Sequence, residues 1–196
     1  MAEDSSTKKG SGYWAGRSES IYLYSVRQLV EGLGKDCKTM VDIGSAGCPY
    51  LDWFDWIPQK TSLDMARPYR GEGIKSVQAD FMQWESNEVY DIGTCLQVLE
   101  HVPLAEEFAQ KLLQRCKILV VSVPYKWKFG RNNTHVHDPV DEEKMRSWFG
   151  RRPNFSVMIS EVKSDAPRLI QVYEQDWDKH WASLKQRERL RNVTSD

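Results

Sequence analysis

The segment that most constrains the fold is residues 41–47, Val-Asp-Ile-Gly-Ser-Ala-Gly, together with Asp64 some twenty residues further on. A β-branched, apolar run that ends in a turn of small residues lets the backbone approach a ligand closely, because glycine and alanine carry little side chain. An acid at the end of the next strand can accept hydrogen bonds from both hydroxyls of a ribose. The two features together predict an α/β chain that holds a nucleoside.

Length and charge limit the classes of function. The chain has 196 residues, enough for one domain, and carries 27 Lys and Arg against 28 Asp and Glu. This near-zero balance argues against nucleic acid as a partner, because a nucleic-acid backbone usually binds a basic face. No apolar run in the sequence is long enough to span a membrane, and residues 1–12 lack the apolar stretch of a signal peptide. The four cysteines form no CxxC pair. We therefore expect a cytoplasmic protein with reduced thiols and no membrane partner.

Hydrophobic periodicity predicts that strands and helices alternate over the first two thirds of the chain. The predicted strands are 39–43, 60–64, 74–79, 89–96 and 117–123, and the predicted helices are about 20–33, 103–116 and 142–149. Two closing antiparallel strands, 155–162 and 168–173, are joined by residues 163–167. This pattern predicts a Rossmann-like three-layer sandwich whose seven-stranded, mostly parallel sheet has an antiparallel strand at its C-terminal end.

The whole chain is interpreted as one domain over residues 13–196 preceded by a flexible tail, residues 1–12. The domain includes an N-terminal lid and helix, 13–35, and a charged C-terminal helix, 176–196. Small or polar residues lie at or just past the predicted strand ends, namely Asp42, Gly44, Asp64, Asp80 and Gln97. In parallel sheets a ligand binds beyond the carboxyl ends of the strands, so these residues predict the site.

The turn after the first strand decides between nucleoside cofactors. A dinucleotide site needs G-x-G-x-x-G at the start of a long helix, where the pyrophosphate binds. Here Gly44-Ser45-Ala46-Gly47 is followed by Cys-Pro-Tyr, which does not begin a regular helix, and no Walker lysine follows. The turn therefore argues against a nicotinamide dinucleotide and against a nucleoside triphosphate.

Several segments resemble the class I S-adenosylmethionine-dependent methyltransferases. Asp42-Ile43-Gly44-Ser45 is similar to their first motif, although Ala46 and Cys48 stand where the commonest pattern has glycine. Residues 95–102, Cys-Leu-Gln-Val-Leu-Glu-His-Val, resemble the strand-four segment of the ubiquinone-type, small-molecule branch. The resemblance spans about residues 13–174. It implies S-adenosyl-L-methionine as the cofactor and direct displacement of its methyl group.

The resemblance also implies a set of cofactor-binding residues. Asp64 would bind the ribose, Asp80 and Phe81 would meet the adenine, Gln97 would lie beside the sulfonium, and Arg17 would meet the methionine carboxylate. The full set is Arg17, Asp42, Gly44, Ser45, Ala46, Asp64, Met65, Asp80, Phe81 and Gln97.

Methyl transfer to a hydroxyl is accelerated by a general base. His135 and His137 alternate in the predicted loop after strand five, so in an extended segment both would face the same side. Such a pair suits either a base with its orienting partner or a metal site with Asp138 or another carboxylate. We predict that His135 or His137 is catalytic and that no metal is bound. For His101, the methyltransferase resemblance implies a mainly structural role at the start of a helix.

The acceptor is expected to be a small molecule, such as a sugar or a hydroxylated metabolite, methylated on oxygen. Four tryptophans either line an aromatic acceptor pocket or pack in the core: Trp53, Trp56, Trp127 and Trp148. Two alternatives stay open, namely N-methylation of protein or RNA, and a non-catalytic domain that binds the cofactor or a partner. The sequence leaves the oligomeric state undetermined.

Overall fold

The protein is described here by a computed structural model that covers Trp14, residues 17–162 and residues 166–176. The predicted tail, most of the predicted lid before Arg17, and residues 163–165 of the predicted connection lie outside the described residues. The predicted C-terminal helix also lies outside them, apart from Asp176.

The described residues form seven strands, three α-helices and two short 3-10 turns. In chain order these are α1 (Ile21–Leu33), β1 (Thr39–Ile43), the turn Pro49–Trp53, β2 (Gln59–Asp64), β3 (Ile74–Gln78), β4 (Tyr90–Leu96), the turn Leu99–His101, α2 (Ala105–Arg115), β5 (Cys116–Pro124), α3 (Glu142–Phe149), β6 (Phe155–Ile159) and β7 (Arg168–Glu174). Most boundaries lie within two residues of those predicted, because strong hydrophobic periodicity and clear caps mark them. The N-cap of α1 is an example, since the Ser20 hydroxyl accepts from Leu23 N.

The strands form one sheet in the order β3-β2-β1-β4-β5-β7-β6. Strands β1 to β5 are parallel, whereas β7 runs antiparallel to both β5 and β6. This arrangement confirms the predicted mostly parallel sheet with an antiparallel C-terminal strand. The chain order reverses between β1 and β4, which is the place where open α/β sheets bind ligands.

Apolar side chains cover both faces of the sheet, which confirms the three-layer sandwich. On one face, α2 and α3 contribute buried residues such as Phe108, Leu112 and Phe149. On the other face, α1 and the turn Pro49–Trp53 contribute residues such as Val26 and Leu51. Fully burying one such side chain contributes roughly 1.5–3 kcal/mol, so the two layers hold β1, β4 and β5 firmly at the centre.

The described helices include none that is both long and apolar enough to cross a membrane. All four cysteines carry free thiols. Cys37, Cys95 and Cys116 are buried, whereas Cys48 is partly exposed.

Candidate functional site

The turn after β1 has a backbone that ordinary residues rarely adopt. Gly44, Ala46 and Gly47 all have positive φ angles, of 81°, 50° and 74°. A side chain on Gly44 would also overlap the methyl groups of Val98. The turn is therefore built around glycine, and Ala46 sits in the left-handed region at a cost of roughly 1–2 kcal/mol.

Asp64, at the end of β2, holds this turn in place. Its Oδ2 accepts a hydrogen bond from Ala46 N at 2.9 Å, and its Oδ1 accepts from Ala66 N and Arg67 N, each at 2.8 Å. A carboxylate has about four acceptor positions, so these three bonds leave capacity for a hydroxyl donor. Asp64 thus joins the turns after β1 and β2 and remains partly exposed beside them.

Asp42 lies inside the core next to the same turn, and its exposed fraction is 0%. Its Oδ1 accepts from the Tyr50 hydroxyl and from Thr94 Oγ1, while its Oδ2 accepts no hydrogen bond from the described residues. Burial raises the pKa of Asp42 to about 7. The predicted contact of Asp42 with the cofactor is thus untested, and its position indicates that it supports the turn from within.

The Asp42 carboxyl should make stability depend on pH. Because the pKa of this carboxyl is raised in the folded protein, its contribution to the free energy of unfolding is fully present below pH 4. That contribution is lost as the pH rises through 7. For the wild type, we expect the free energy of unfolding to fall by an amount on the order of 2–3 kcal/mol between pH 5 and pH 8. We expect Asp42→Asn to abolish this fall. Urea unfolding at both pH values checks this, with the exposed Asp55→Asn as the matched control. Equal slopes for the wild type and Asp42→Asn would refute the assignment.

A cavity of about 580 Å³ opens beside the turn. Gly44, Ser45 and Ala46 line one side of it, and Gln97 follows at the end of β4. The other side is formed by the first turn of α1 and by residues from the opposite end of the chain, including Glu161 and Arg168. The volume is within the range of pockets that hold a cofactor or a small molecule.

A chain of hydrogen-bonded polar groups lies beside the cavity, at the ends of the central strands. Gln97, whose φ angle is 58°, donates from Nε2 to Ser122 Oγ at 3.1 Å and from its backbone N to Ser122 O at 2.9 Å. The same Ser122 hydroxyl also bonds to the Tyr22 hydroxyl. Burial raises the pKa of Tyr22 above its usual value, so the phenol stays neutral and can donate.

Glu161 closes the opposite wall by capping α1. Its two carboxylate oxygens accept from Ile21 N at 3.0 Å and from Tyr22 N at 3.1 Å, which are among the unpaired N–H groups at the start of the helix. The Arg168 guanidinium lies over the Tyr22 ring, 4.9 Å from its centre, and 3.9 Å from a Glu161 oxygen. This wall therefore presents both a carboxylate and a guanidinium to the cavity.

Comparison with known proteins identifies the fold. No protein-family model matches the chain, and no curated protein is similar to it in sequence. Solved structures do match. One is Burkholderia thailandensis 1,6-didemethyltoxoflavin-N1-methyltransferase with its acceptor and S-adenosylhomocysteine bound (TM-score 0.61, 16% identity, 85% of this chain and 84% of that one).

A second is the N-methyltransferase NodS from Bradyrhizobium japonicum with S-adenosylhomocysteine (TM-score 0.62, 14% identity, 79% of this chain and 88% of that one). The small RNA methyltransferase HEN1 also matches over 80% of this chain and 25% of its own (TM-score 0.55, 18% identity). The fold is that of class I S-adenosylmethionine-dependent methyltransferases.

The remaining predicted cofactor residues of this methyltransferase fold follow β2 and β3, outside the cavity. Asp80 is exposed and accepts from Met82 N at 2.9 Å. The Phe81 ring is buried against Phe108, with ring centres 4.8 Å apart, and Met65 is 72% exposed. The structure thus groups Arg17, Gln97 and the turn around one cavity, and it leaves the proposed ribose and adenine residues on the neighbouring edge.

The two predicted catalytic histidines point to different partners. His135 is buried, its Nδ1 lies 2.8 Å from Asp138 Oδ2, and its ring stacks on Trp127. His137 packs its ring against Trp148, and its Nε2 lies 2.8 Å from Val102 O. The same-side arrangement was expected only for an extended segment, and the loop bends at residues 136 and 137 instead of running extended. Neither histidine lines the cavity.

Glu100 is a buried acid that the sequence reasoning did not single out. It lies in the turn Leu99–His101 that follows Gln97, its exposed fraction is 1%, and burial raises its pKa to about 8. The loop after β5 is joined to it, since Val136 N donates to Glu100 O at 2.9 Å. His101 lies in the same turn and not at a helix start, because α2 begins at Ala105. An acid followed by histidine just past a strand end was the available signal.

The four tryptophans do not form one pocket. Trp53 and Trp56 pack on the face covered by α1, whereas Trp148 is buried on the opposite face. Trp127 stacks on His135. Core packing therefore accounts for three of them.

Proposed function

We propose that this chain is an S-adenosylmethionine-dependent methyltransferase whose cofactor binds in the cavity beside the turn after β1. The supporting observation is that one cavity is lined by Gly44, Ser45, Ala46 and Gln97, at the point where the strand order reverses. Two structures of the same fold are described as bound to S-adenosylhomocysteine, the product form of this cofactor.

The cofactor would lie across the carboxyl edge of the sheet. Its methionine part would meet Arg17 and the turn, and its ribose hydroxyls would donate to Asp64, which has an acceptor position to spare. The adenine would extend towards Asp80 and Phe81. This order follows the strand order, since β1, β2 and β3 are neighbours in the sheet.

The chain's own residues would act mainly by alignment. Methyl transfer forms a bond from the acceptor oxygen to the methyl carbon, breaks the sulfur–carbon bond and leaves a neutral thioether, while the hydroxyl proton passes to a base or to water. Holding nucleophile, methyl and sulfur in line can supply roughly 7–11 kcal/mol of the barrier. The hydrogen-bonded chain of Gln97, Ser122 and Tyr22 fixes the cavity wall beside the proposed sulfonium position.

The acceptor is proposed to be a small hydroxylated molecule or a sugar, methylated on oxygen, as in the ubiquinone-type branch. The near-zero net charge favours a small acceptor over RNA. Arg168 and Glu161 on the far wall would bind its polar groups. Of the two histidines, His135 is the better candidate for a general base that acts on the acceptor. Its Nδ1 lies against the Asp138 carboxylate, whereas His137 Nε2 lies against a backbone oxygen, Val102 O.

One observation favours a second candidate, a non-catalytic domain that binds the cofactor. Neither His135 nor His137 lines the cavity, so the described contacts bring no histidine to the proposed transfer point. Such a domain would bind S-adenosylmethionine without consuming it.

Calorimetric titration with S-adenosylmethionine, S-adenosylhomocysteine and NADH tests the proposal. We expect micromolar dissociation constants for the first two and no heat from NADH. Release of S-adenosylhomocysteine in the presence of hydroxylated small acceptors then separates the enzyme from the non-catalytic domain. Binding of NADH alone would overturn the cofactor assignment.

A further inference from the structure

Three side chains that commonly ligate metals converge beside the end of β4. One ligand atom from each of Glu100, His101 and His135 lies within 4.8 Å of the other two. Glu100 and His135 are buried, while the His101 side chain is 38% exposed. The cluster is therefore fixed on two sides and reachable from solvent on the third.

Both imidazoles are oriented by oxygen atoms on their Nδ1 side. His101 Nδ1 lies 3.0 Å from the backbone oxygen of Thr134, which can only accept, so His101 carries its proton there. His135 Nδ1 lies 2.8 Å from Asp138 Oδ2, in a pair that is almost wholly buried. Each ring therefore presents Nε2 as its lone pair. A histidine held by a carboxylate or carbonyl in this way is the usual arrangement around a bound metal.

Glu100 supplies an independent observation. Its exposed fraction is 1%, yet its Oε2 accepts no hydrogen bond from any of the described residues. Its Oε1 lies 3.9 Å from His101 Nε2. Burying a carboxylate oxygen without a partner is costly, and a cation among these three residues would satisfy it.

We propose that Glu100, His101 and His135 bind one divalent transition-metal cation, with Asp138 as the orienting partner of His135. Two imidazoles and one carboxylate suit Zn²⁺ and other first-row cations better than Mg²⁺, which prefers oxygen ligands. Three protein ligands leave coordination positions open. The site goes beyond the proposed methyl transfer, because cation binding requires no cofactor.

One neighbouring contact must change when the cation binds. Asn132 Nδ2 lies 3.0 Å from His135 Nε2, so its amide occupies the lone pair that the metal would take. Backbone contacts that do not involve this amide also hold the loop, since His135 N donates to Asn132 O at 3.2 Å and Val136 N donates to Glu100 O at 2.9 Å. The amide can therefore be displaced without releasing the loop.

This proposal replaces our expectation of no metal. That expectation considered His135 and His137 as the imidazole pair, and these two histidines contact different partners in the structure. The second imidazole comes instead from His101, which follows a different strand.

A role for the cation does rest on the proposed function. An open position could bind the acceptor oxygen and lower the pKa of its hydroxyl, as metal ions do for bound water. The turn that carries Glu100 and His101 begins two residues after Gln97, which lines the cofactor cavity.

The test is titration of chelator-treated protein with Co²⁺ and Zn²⁺, in the absence of cofactor. We expect one cation per chain and a Co²⁺ visible spectrum without thiolate bands. Glu100→Gln and His135→Gln should each weaken binding at least about tenfold, and Asp138→Asn about 10–100-fold. His137→Gln, a histidine of the same loop outside the cluster, should bind as the wild type does. Thermal unfolding of each variant shows that it is folded.

Three results would overturn the site. They are no binding by the folded wild type, equal loss in His137→Gln and His135→Gln, and loss of binding in Cys48→Ser together with thiolate absorption. Because these titrations contain no S-adenosylmethionine, their failure is distinguishable from failure of the proposed function, which calorimetry with S-adenosylhomocysteine tests separately.

Discussion

Asp64→Ala is expected to lower the affinity for S-adenosylhomocysteine by roughly 100-fold or more while the protein stays folded. The change removes the proposed bonds to the ribose hydroxyls, and each hydrogen bond to a charged group contributes about 1.5–3 kcal/mol. It also removes the acceptor of Ala46 N, so the turn after β1 loses the contact that holds its left-handed residue. Calorimetric titration measures the affinity, and circular dichroism establishes that the variant is folded.

Two further variants separate these contributions. Asp64→Asn keeps one carbonyl oxygen and should lose less affinity than Asp64→Ala. Asp80→Ala removes an exposed carboxylate that accepts a hydrogen bond from Met82 N, and it should lower the affinity roughly tenfold by loss of a contact at the adenine end. Affinity unchanged in Asp64→Ala would remove the ribose assignment.

Gly44→Ala is expected to lower the unfolding free energy by roughly 1–3 kcal/mol and to weaken cofactor binding sharply. Two causes act together, because the φ angle of Gly44 is 81° and a methyl group there would overlap Val98. The turn would have to move away from the cavity that it lines. Urea unfolding measures stability, and titration with S-adenosylhomocysteine measures affinity.

The chain offers a matched control for the backbone effect alone. Gly73 has a φ angle of 69° but nothing within 4 Å of an added methyl group, so Gly73→Ala should show strain without overlap and keep its affinity. Adding Val98→Ala to Gly44→Ala should restore part of the lost stability, because it removes the overlap. If Gly44→Ala and Gly73→Ala behave alike, the contact with Val98 has no role.

The sheet could be predicted because its signals are local. Each strand is a short apolar run bounded by turn residues, and alternation with helices predicts parallel pairing. The turn after β1 could be predicted as well, since glycine at a strand end followed by small residues is typical of a tight turn. Its connection to Asp64 followed from the parallel pairing of β1 and β2.

The second wall of the cavity could not be predicted, because it depends on long-range contacts. Nothing near Glu161 in the sequence indicates that it caps a helix 140 residues earlier. The geometry of the loop histidines could not be predicted for a related reason, since alternation predicts a shared side only in an extended segment, and this loop bends. The sequence predicts Asp42 as a site residue. Only the structure shows that it is buried and accepts hydrogen bonds from Tyr50 and Thr94.

The contact between Glu161 and the start of α1 couples ligand binding in the cavity to the stability of two distant segments of the chain. Two segments that are far apart in sequence form one wall. If either segment opens, the N–H groups of Ile21 and Tyr22 lose their acceptor, the Glu161 carboxylate. By thermodynamic linkage, a ligand that favours the closed wall suppresses local opening of both segments together. The amides at the start of α1 and those of the segment around Glu161, just after β6, would then exchange with solvent as a single cooperative unit.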